Sequence, residues 1–264
     1  MQFTQVLKSV AVAAALAAGT SAFAATIDAS TPAAGGYRLL ASTGTLKLAD
    51  DITNPDSSVI GAFGVAGIVI SEQAPATLSA GSYPAPDDWA QFAHIAAPIQ
   101  SLTYDDATST VTSVQSLGGL VQTVTSPNAA SRGGNITVQN IRVDLGSKTL
   151  FADVSGANGL ASANIAFFNF ANITGSTTVP TLAAGQTATI TNVLSGLSLT
   201  ADGKAALVQG LGLRGIGLTT LNNLTDFGSL ESSITVPVPE PSTYALMGLG
   251  LAGAAWVARR RKQS

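Results

Sequence analysis

The chain has 264 residues and a formal net charge of −3, and charged residues make up only 10% of it, well below the roughly one quarter that is usual for soluble domains. It contains no cysteine, which excludes disulfide bonds, a thiolate nucleophile and a cysteine-ligated zinc site. Between the two apolar ends of the chain acidic residues outnumber basic ones, so this region presents no basic face for nucleic acid.

The N-terminus has the order of a secretory signal peptide. Lys8 precedes an apolar run at 10–18, and small residues follow that run. A charged start, an apolar middle and an A-x-A cleavage site are the three parts of such a peptide. The alternative is an uncleaved membrane helix, but this run spans only about 14 Å against a hydrocarbon core of about 30 Å. We predict that signal peptidase removes residues 1–24. The residues around the predicted cut are Ala22, Ala24 and Ala25.

The region 25–231 has the pattern of a sheet protein. Apolar and polar residues alternate with a period of two, Thr, Val, Ile and Phe are enriched, and turn signals recur about every ten residues. We predict one exported, mostly β domain, an antiparallel β-sandwich or barrel with one or two short helices, because a single sheet would leave an apolar face exposed. A loop at 126–134 is a candidate boundary between two subregions.

Several turns can be placed within this domain. Short connections rich in Asp, Gly, Ser or Asn between β-branched runs are typical of hairpins. Those predicted are 101–104 with 110–114, 141–145 with 149–154, and a turn at Asn158-Gly159 before a strand over 164–173.

One helix is predicted near the end of the domain. Thr200 can cap its first turn, and Asp202 suits the positive end of the helix dipole. The helix should end near Gly210. The residues predicted to pack inward are Ala205, Leu207 and Val208.

A second candidate helix begins at 87–89. Phe92, Ala93 and Ala96 follow at helical spacing, and Pro98 would end the helix. A strand over the same residues is the alternative.

Two features suggest enzyme motifs but lack the required context. His94 is the only histidine, and no Gly-x-Ser-x-Gly motif supplies a serine for a catalytic triad. We therefore interpret His94 as a partly buried structural residue. The segment 210–215 matches Gly-x-Gly-x-x-Gly, but a dinucleotide fold needs a preceding strand and a second βαβ half. We interpret this match as chance.

Acidic clusters at 50–56, 87–88 and 105–106 are the remaining candidates for metal binding or acid–base chemistry. The first cluster lacks the glycine and terminal glutamate of a calcium-binding EF-hand loop. Aspartate is common in turns, and adjacent aspartates on a strand point to opposite sides. We predict no catalytic residue, no metal site and no cofactor, and hence a protein that is not an enzyme.

The C-terminus has three ordered parts. A proline-rich linker at 232–243 precedes an apolar segment at 244–258, which we predict to be a transmembrane helix of about 22 Å. A basic tail at 259–264 follows, and by the positive-inside rule it stays in the cytoplasm. The main body must then lie across the membrane. The cations that stop transfer are Arg259, Arg260, Arg261 and Lys262.

This tail resembles the PEP-CTERM tail of Gram-negative bacteria. The residues that carry the resemblance are Val238, Pro239, Glu240, Pro241 and Ser242, followed by a Gly/Ala/Leu segment and an arginine cluster. The resemblance implies recognition by an exosortase, a membrane-embedded enzyme that cuts near Pro-Glu-Pro and discards the helix. It also implies transient residence in the inner membrane, delivery to the cell surface or extracellular matrix, and exopolysaccharide of a biofilm as a candidate partner. The alternative is a plain tail anchor, which needs no Pro-Glu-Pro.

The order of predicted elements over 133–207 also loosely resembles Hta-type surface domains that bind heme. None of that family's heme-contacting residues can be mapped onto this sequence, so the resemblance bears on the fold more than on the function.

Three hypotheses about the domain follow. The first is a noncatalytic surface or matrix protein that adheres to polysaccharide or to neighbouring proteins. The second is a small-ligand or heme-binding domain, for which we expect an apolar slot that contains Tyr37, Tyr83, Tyr104 or His94. The third is a polysaccharide-active hydrolase, for which we expect a convergent pair of buried carboxylates in a groove.

Overall fold

The structure is a computed structural model that describes residues 24–28, 37–49, 58–82, 90–183 and 185–237. Several predictions lie outside these residues: positions 1–23 of the predicted signal peptide, the acidic clusters at 50–56 and 87–88, Tyr83, and the tail after Pro237. Within the described residues, no helix is long and apolar enough to span a membrane.

The described residues form fourteen strands and three short helices. The strands are β1 (Ala24–Asp28), β2 (Thr43–Leu48), β3 (Val69–Gln73), β4 (Thr77–Ser82), β5 (Ala90–Asp105), β6 (Val111–Ser116), β7 (Gly119–Val124), β8 (Gly134–Asp144), β9 (Thr149–Gly156), β10 (Ala161–Asn169), β11 (Asn172–Gly175), β12 (Thr187–Ser195), β13 (Ser198–Leu199) and β14 (Gly228–Pro237). The helices are α1 (Val59–Ala66), α2 (Ala201–Gly210) and α3 (Ile216–Asn223).

All strand pairs are antiparallel, and the main path runs β11-β12-β14-β2-β5-β6-β8-β9-β10-β13. The first part of β5 pairs with β2 and β4, and its second part pairs with β1 and β6. The sheet therefore has two halves, and Leu46 and Ile95 of one half share a core with Val138 and Leu150 of the other. The predicted antiparallel, mostly β fold is confirmed as an open sandwich. Three helices are present among the described residues instead of one or two.

The chain passes between the two halves of the sandwich at a bulge in β5. The register shifts between Ile99 and Ser101, so Gln100 is an extra residue. Before this point odd-numbered positions such as Ile95 are buried, and after it even-numbered positions such as Leu102 are buried. The bulge thus lets one strand contribute to the cores of both halves.

For residues 90–98 the candidate helix is wrong, and the alternative, a strand, is confirmed. Residues 90–98 belong to β5, and Pro98 lies inside the strand with an exposed side chain. Phe92, Ala93 and Ala96 suit a helix as well as a strand, but Ala93, Ile95 and Ala97 are buried while the residues between them are not. This period of two is that of a strand.

The predicted hairpins form, and the turn chemistry explains why. The Asp105 carboxylate accepts hydrogen bonds from the N–H groups of Ala107 and Thr108, at 2.9 and 3.0 Å. The Asp144 carboxylate accepts one from the N–H of Ser147 at 3.0 Å. Each aspartate thereby closes its own turn, as aspartates in turns commonly do. The strand predicted over 164–173 is two strands, β10 and β11, which lie in different halves.

The predicted helix cap at Thr200 is confirmed, because its hydroxyl accepts a hydrogen bond from the N–H of Gly203 at 3.0 Å. The predicted inward face is partly wrong. Leu207 is buried and Val208 is half-buried, but Ala205 is exposed. Gly203, Ala206, Leu207 and Gly210 form the buried stripe. A Cβ atom at Gly203 would collide with the carbonyl oxygen of Phe167, so the close approach to β10 fixes the rotation of the helix.

The last strand extends beyond the predicted domain end at 231. β14 continues to Pro237, which pairs with Thr187, and Val236 is fully buried in a second core. This second core is smaller than the first and also contains Ile27 and Tyr104. The chain segments before and after the loop at 126–134 share one sheet, since β7 and β8 pair across it.

Candidate functional site

An open groove of about 460 Å³ lies where β6, β8 and the segment after β11 meet. Its walls combine hydroxyl groups, one ion pair and a few apolar side chains. The lining residues are Thr110, Val111, Thr112, Ser113, Arg142, Asp144, Leu145, Gly146, Ile173 and Thr177.

Backbone hydrogen bonds hold the two sides of this groove together. Val111 donates its N–H to the carbonyl of Thr177 at 2.8 Å, and Leu145 donates to the carbonyl of Thr112 at 3.0 Å. An isolated bridge also joins Thr110 to Thr178. The start of β6 is therefore fixed between β8 and the segment that follows β11.

The Arg142 guanidinium is held by three neighbours. It lies over the ring of Phe151, 4.3 Å from the ring centroid. Its Nη1 donates to Asp144 Oδ2 at 3.4 Å, and its Nε donates to Asn164 Oδ1 at 3.5 Å. About a third of each ionic side chain is exposed, 32% for Arg142 and 34% for Asp144. The fixed guanidinium therefore remains accessible to a ligand.

A bulge between Gln139 and Arg142 in the β8–β9 pair determines which side chains reach the surface here. Asn140 within this bulge has a φ of 54° and donates to Asp153 at 3.0 Å. Asp153 in turn accepts from the N–H of Asn164 at 2.8 Å. These bonds hold the backbone of Asn164, whose side-chain oxygen accepts the hydrogen bond from Arg142.

The pKa of Asp144 lies below its ordinary value. The backbone N–H of Ser147 is the main cause, and the Ser147 hydroxyl and Arg142 add to it, while burial acts in the opposite direction. Hydrogen bonds to the charged form favour ionisation. Asp144 is therefore a carboxylate that only accepts hydrogen bonds at neutral pH.

The residues predicted from the sequence are not brought together at this groove. Ala24 and Ala25 lie in β1 and pair with Asp105 and Tyr104. Ala22 and the residues of the tail lie outside the described part of the chain: Val238, Pro239, Glu240, Pro241, Ser242, Arg259, Arg260, Arg261 and Lys262. His94 is half-buried, and its ring centroid lies 4.9 Å from that of Phe92. The structural interpretation of His94 agrees with this placement.

The Gly-x-Gly-x-x-Gly segment connects two helices. Gly210 ends α2, Gly212 has a φ of 60°, and Gly215 directly precedes α3. A dinucleotide site needs this motif after a strand. The interpretation of the match as chance is therefore supported by its position.

A heme-sized slot with the predicted ligands is not found among the described residues. The cavity between the two halves measures about 40 Å³, room for about three water molecules, and neither tyrosines nor His94 line it. Tyr37 donates its hydroxyl to the carbonyl of Pro180 at 3.2 Å. Tyr104 is buried in the second core, and its pKa is raised by that burial and, less strongly, by Asp106 and Tyr37.

In the part of the chain that the structure describes, the buried polar side chains include no carboxylate, and no cluster of three potential metal ligands occurs. The buried polar residues are Ser42, Ser58, Ser116, Gln122, Ser131 and Thr149.

The groove itself was not predicted from the sequence. Its one available signal was Arg142 and Asp144 on the same side of a predicted strand.

Comparison with protein families identifies the end of the chain. The model of the PEP-CTERM protein-sorting motif matches residues 237–262. The chain carries a PEP-CTERM sorting motif. This motif implies export, anchoring in the membrane before processing, and sorting by an exosortase. The PEP-CTERM match begins at Pro237, the last residue of β14, so the sorting signal follows the sandwich directly.

Other comparisons add little to the PEP-CTERM match. No curated protein matches the chain. Among solved structures, the C-terminal domain of HtaA from Corynebacterium glutamicum is weakly similar, with 14% sequence identity and a TM-score of 0.40. The similarity covers 75% of this chain and 98% of that domain.

Proposed function

We propose that this protein is a noncatalytic component of the cell surface or extracellular matrix, and that its β-sandwich binds an extracellular polysaccharide in the groove at Arg142 and Asp144. The observation that carries the proposal is the composition of the groove. An ion pair that is about one third exposed lies beside four hydroxyl side chains and three apolar ones.

The chemistry of these groups matches that of a sugar chain. Sugar hydroxyls both donate and accept hydrogen bonds. Asp144 accepts, Arg142 donates, and the threonine and serine hydroxyls of the wall do both. Leu145 and Ile173 offer apolar contact to the C–H faces of sugar rings. A volume of about 460 Å³ lies within the usual range of ligand sites.

The same groove is poorly suited to hydrolysis. A glycoside hydrolase commonly uses two carboxyl groups about 5 to 9.5 Å apart, whereas Asp144 is the one carboxylate that lines this groove among the described residues. A general acid also needs a pKa near the working pH, and the pKa of Asp144 is shifted in the opposite direction. These two points support binding without catalysis.

The proposed function also fits the sorting route. Cleavage near Pro239-Glu240-Pro241 would free the sandwich from its membrane segment, and a released protein stays near the cell only if it binds something there. Exopolysaccharide in the groove would supply that attachment. The protein would thus be bound first by signal peptidase, then by exosortase, and finally by exopolysaccharide.

Affinity electrophoresis tests the groove. The full chain, purified in detergent, should be retarded in a gel that contains exopolysaccharide from the same culture. The double variant Arg142→Ala, Asp144→Ala should migrate as it does in a gel without polysaccharide. The variant Asp202→Ala, Lys204→Ala removes one acid and one base from α2 and serves as the matched control. Equal retardation of the groove variant and the wild type would overturn the proposal.

A further inference from the structure

A second surface lies on the other half of the sandwich, where β12, β14, β2 and β5 are consecutive neighbours. Their side chains alternate between the core and the outside, and most of the outward ones are small and carry hydroxyls. We call this surface the hydroxyl face. It consists of Thr189, Thr191, Val193, Ser195, Ser229, Glu231, Ser233, Thr235, Thr43, Thr45, Lys47, His94 and Ala96.

The strands of the hydroxyl face pair without a bulge from β12 through β14 and β2 to β5. In the other half, bulges interrupt the pairs β5–β6, β8–β9 and β9–β10. Regular pairing places outward side chains about 4.8 Å apart across strands and about 6.8 Å apart along them. Thr191, Ser233 and Thr43 form one such row across three strands.

The hydroxyls of this row are free to bind a partner. Thr43, Thr191 and Ser233 are exposed, and their hydroxyls make no hydrogen bond to any other described residue. In the next row the hydroxyls of Thr189 and Thr235 bond to each other at 3.1 Å. Each hydroxyl can donate one hydrogen bond and accept others, so the row offers hydrogen-bond donors and acceptors at regular spacing.

Charge and composition decide which partner fits. The hydroxyl face carries one cation and one anion, Lys47 and Glu231, which form an ion pair at 2.5 Å and cancel. A nucleic acid would need an excess of cations. A protein partner would favour aromatic residues, Met and Arg, and the hydroxyl face as defined contains no Phe, Tyr, Trp, Met or Arg. An uncharged polymer that is rich in hydroxyls is the partner that matches both properties.

We infer that the hydroxyl face binds the flat surface of a packed, uncharged polysaccharide. This inference rests on the proposed role in a polysaccharide matrix and assigns that role a second, separate surface. The groove at Arg142 is lined mainly by β6 and β8 of the other half and is bordered by Ile173 of β11, away from the row of Thr43, Thr191 and Ser233, and it takes a single soluble chain. A protein with both surfaces would connect soluble exopolysaccharide to a packed polymer.

Depletion binding to microcrystalline cellulose tests the inference. The full chain in detergent should bind cellulose equally at low and high salt, because screening affects only charged contacts. The triple variant Thr43→Val, Thr191→Val, Ser233→Ala removes three hydroxyls and keeps the strand shape. The triple variant should bind cellulose at least about tenfold more weakly than the wild type does. The matched control is Thr26→Val, Thr103→Val, a hydroxyl pair on the other half, which should bind as the wild type does.

The outcomes separate this inference from the proposed function. The groove variant Arg142→Ala, Asp144→Ala should still bind cellulose, and the triple variant should still be retarded by soluble exopolysaccharide. Cellulose binding that survives the triple variant, or that is lost in the groove variant, would overturn the inference. It would also be overturned if the wild type did not bind cellulose. If the triple variant then abolished self-association in sedimentation, the partner of the face would be a second copy.

Discussion

The guanidinium of Arg142 lies 4.3 Å from the centre of the Phe151 ring, across the paired strands β8 and β9. Because an aromatic face attracts a cation, this contact fixes the arginine at the groove while leaving it accessible. Two residues that are nine positions apart in the sequence thus become one unit of the candidate site.

A double-mutant cycle should detect this unit. We expect Phe151→Leu and Arg142→Ala each to lower the free energy of unfolding, and the double variant to lose less than the sum. The coupling should be about 0.5–1 kcal/mol at this partly exposed position. Urea denaturation of the four proteins measures it. Full additivity would show that the ring and the guanidinium do not interact.

The contribution of Asp144 to stability should depend on pH. Its folded-state pKa is lowered, so its stabilising effect is present above the unfolded-state value of about 3.9 and is lost as pH falls through the folded-state value. Asp144→Asn should therefore be less stable than the wild type at neutral pH, and the difference should shrink in acid. Urea midpoints between neutral pH and pH 3 check this. A difference that grows in acid would contradict the lowered pKa.

The contact between α2 and β10 should be sensitive to one methyl group. Gly203→Ala places a Cβ atom against the Phe167 carbonyl oxygen, and overpacking of this kind costs about 1–3 kcal/mol. Gly64→Ala, in an exposed part of α1, should instead stabilise the protein by about 0.5–1 kcal/mol. Thermal unfolding compares the two variants. If both substitutions stabilised the protein, the described approach of α2 to β10 would be incorrect.

These contacts show which parts of the fold the sequence could predict. The hairpins at Asp105 and Asp144 depend on side chains that bond within their own turns, so local sequence is sufficient. The inward face of α2 depends on Phe167, which is distant in the sequence, and the prediction of Ala205 as buried failed for that reason. The alternation in β5 was ambiguous because alanine and phenylalanine suit either element.

The groove illustrates a further limit. Arg142 and Thr177 line the same groove because β6 bonds both to β8 and to the segment after β11, and no local pattern indicates that arrangement. The hydroxyl face also depends on pairing between strands that are separated in the sequence, since Thr43, Thr191 and Ser233 lie in β2, β12 and β14. The PEP-CTERM motif could be predicted because all of its parts are consecutive in the chain.

The sorting motif should control processing. Replacing Pro239-Glu240-Pro241 by three alanines leaves the predicted helix at 244–258 and the cations after it unchanged. We expect the variant to accumulate in the inner membrane at full length, because the apolar segment and the positive charges still hold it there. Cell fractionation in a host with an exosortase measures this. Normal release of the variant would show that the Pro-Glu-Pro residues are not the signal.

The most direct test of the account is the mass of the protein that is bound to exopolysaccharide outside the cell. Mass spectrometry of that fraction should find a chain that begins at Ala25 and ends near Pro239-Glu240-Pro241, and the groove variant Arg142→Ala, Asp144→Ala should be missing from the fraction. Surface protein that still contains the Trp256 peptide, or a processed protein that is absent from the exopolysaccharide, would contradict the account.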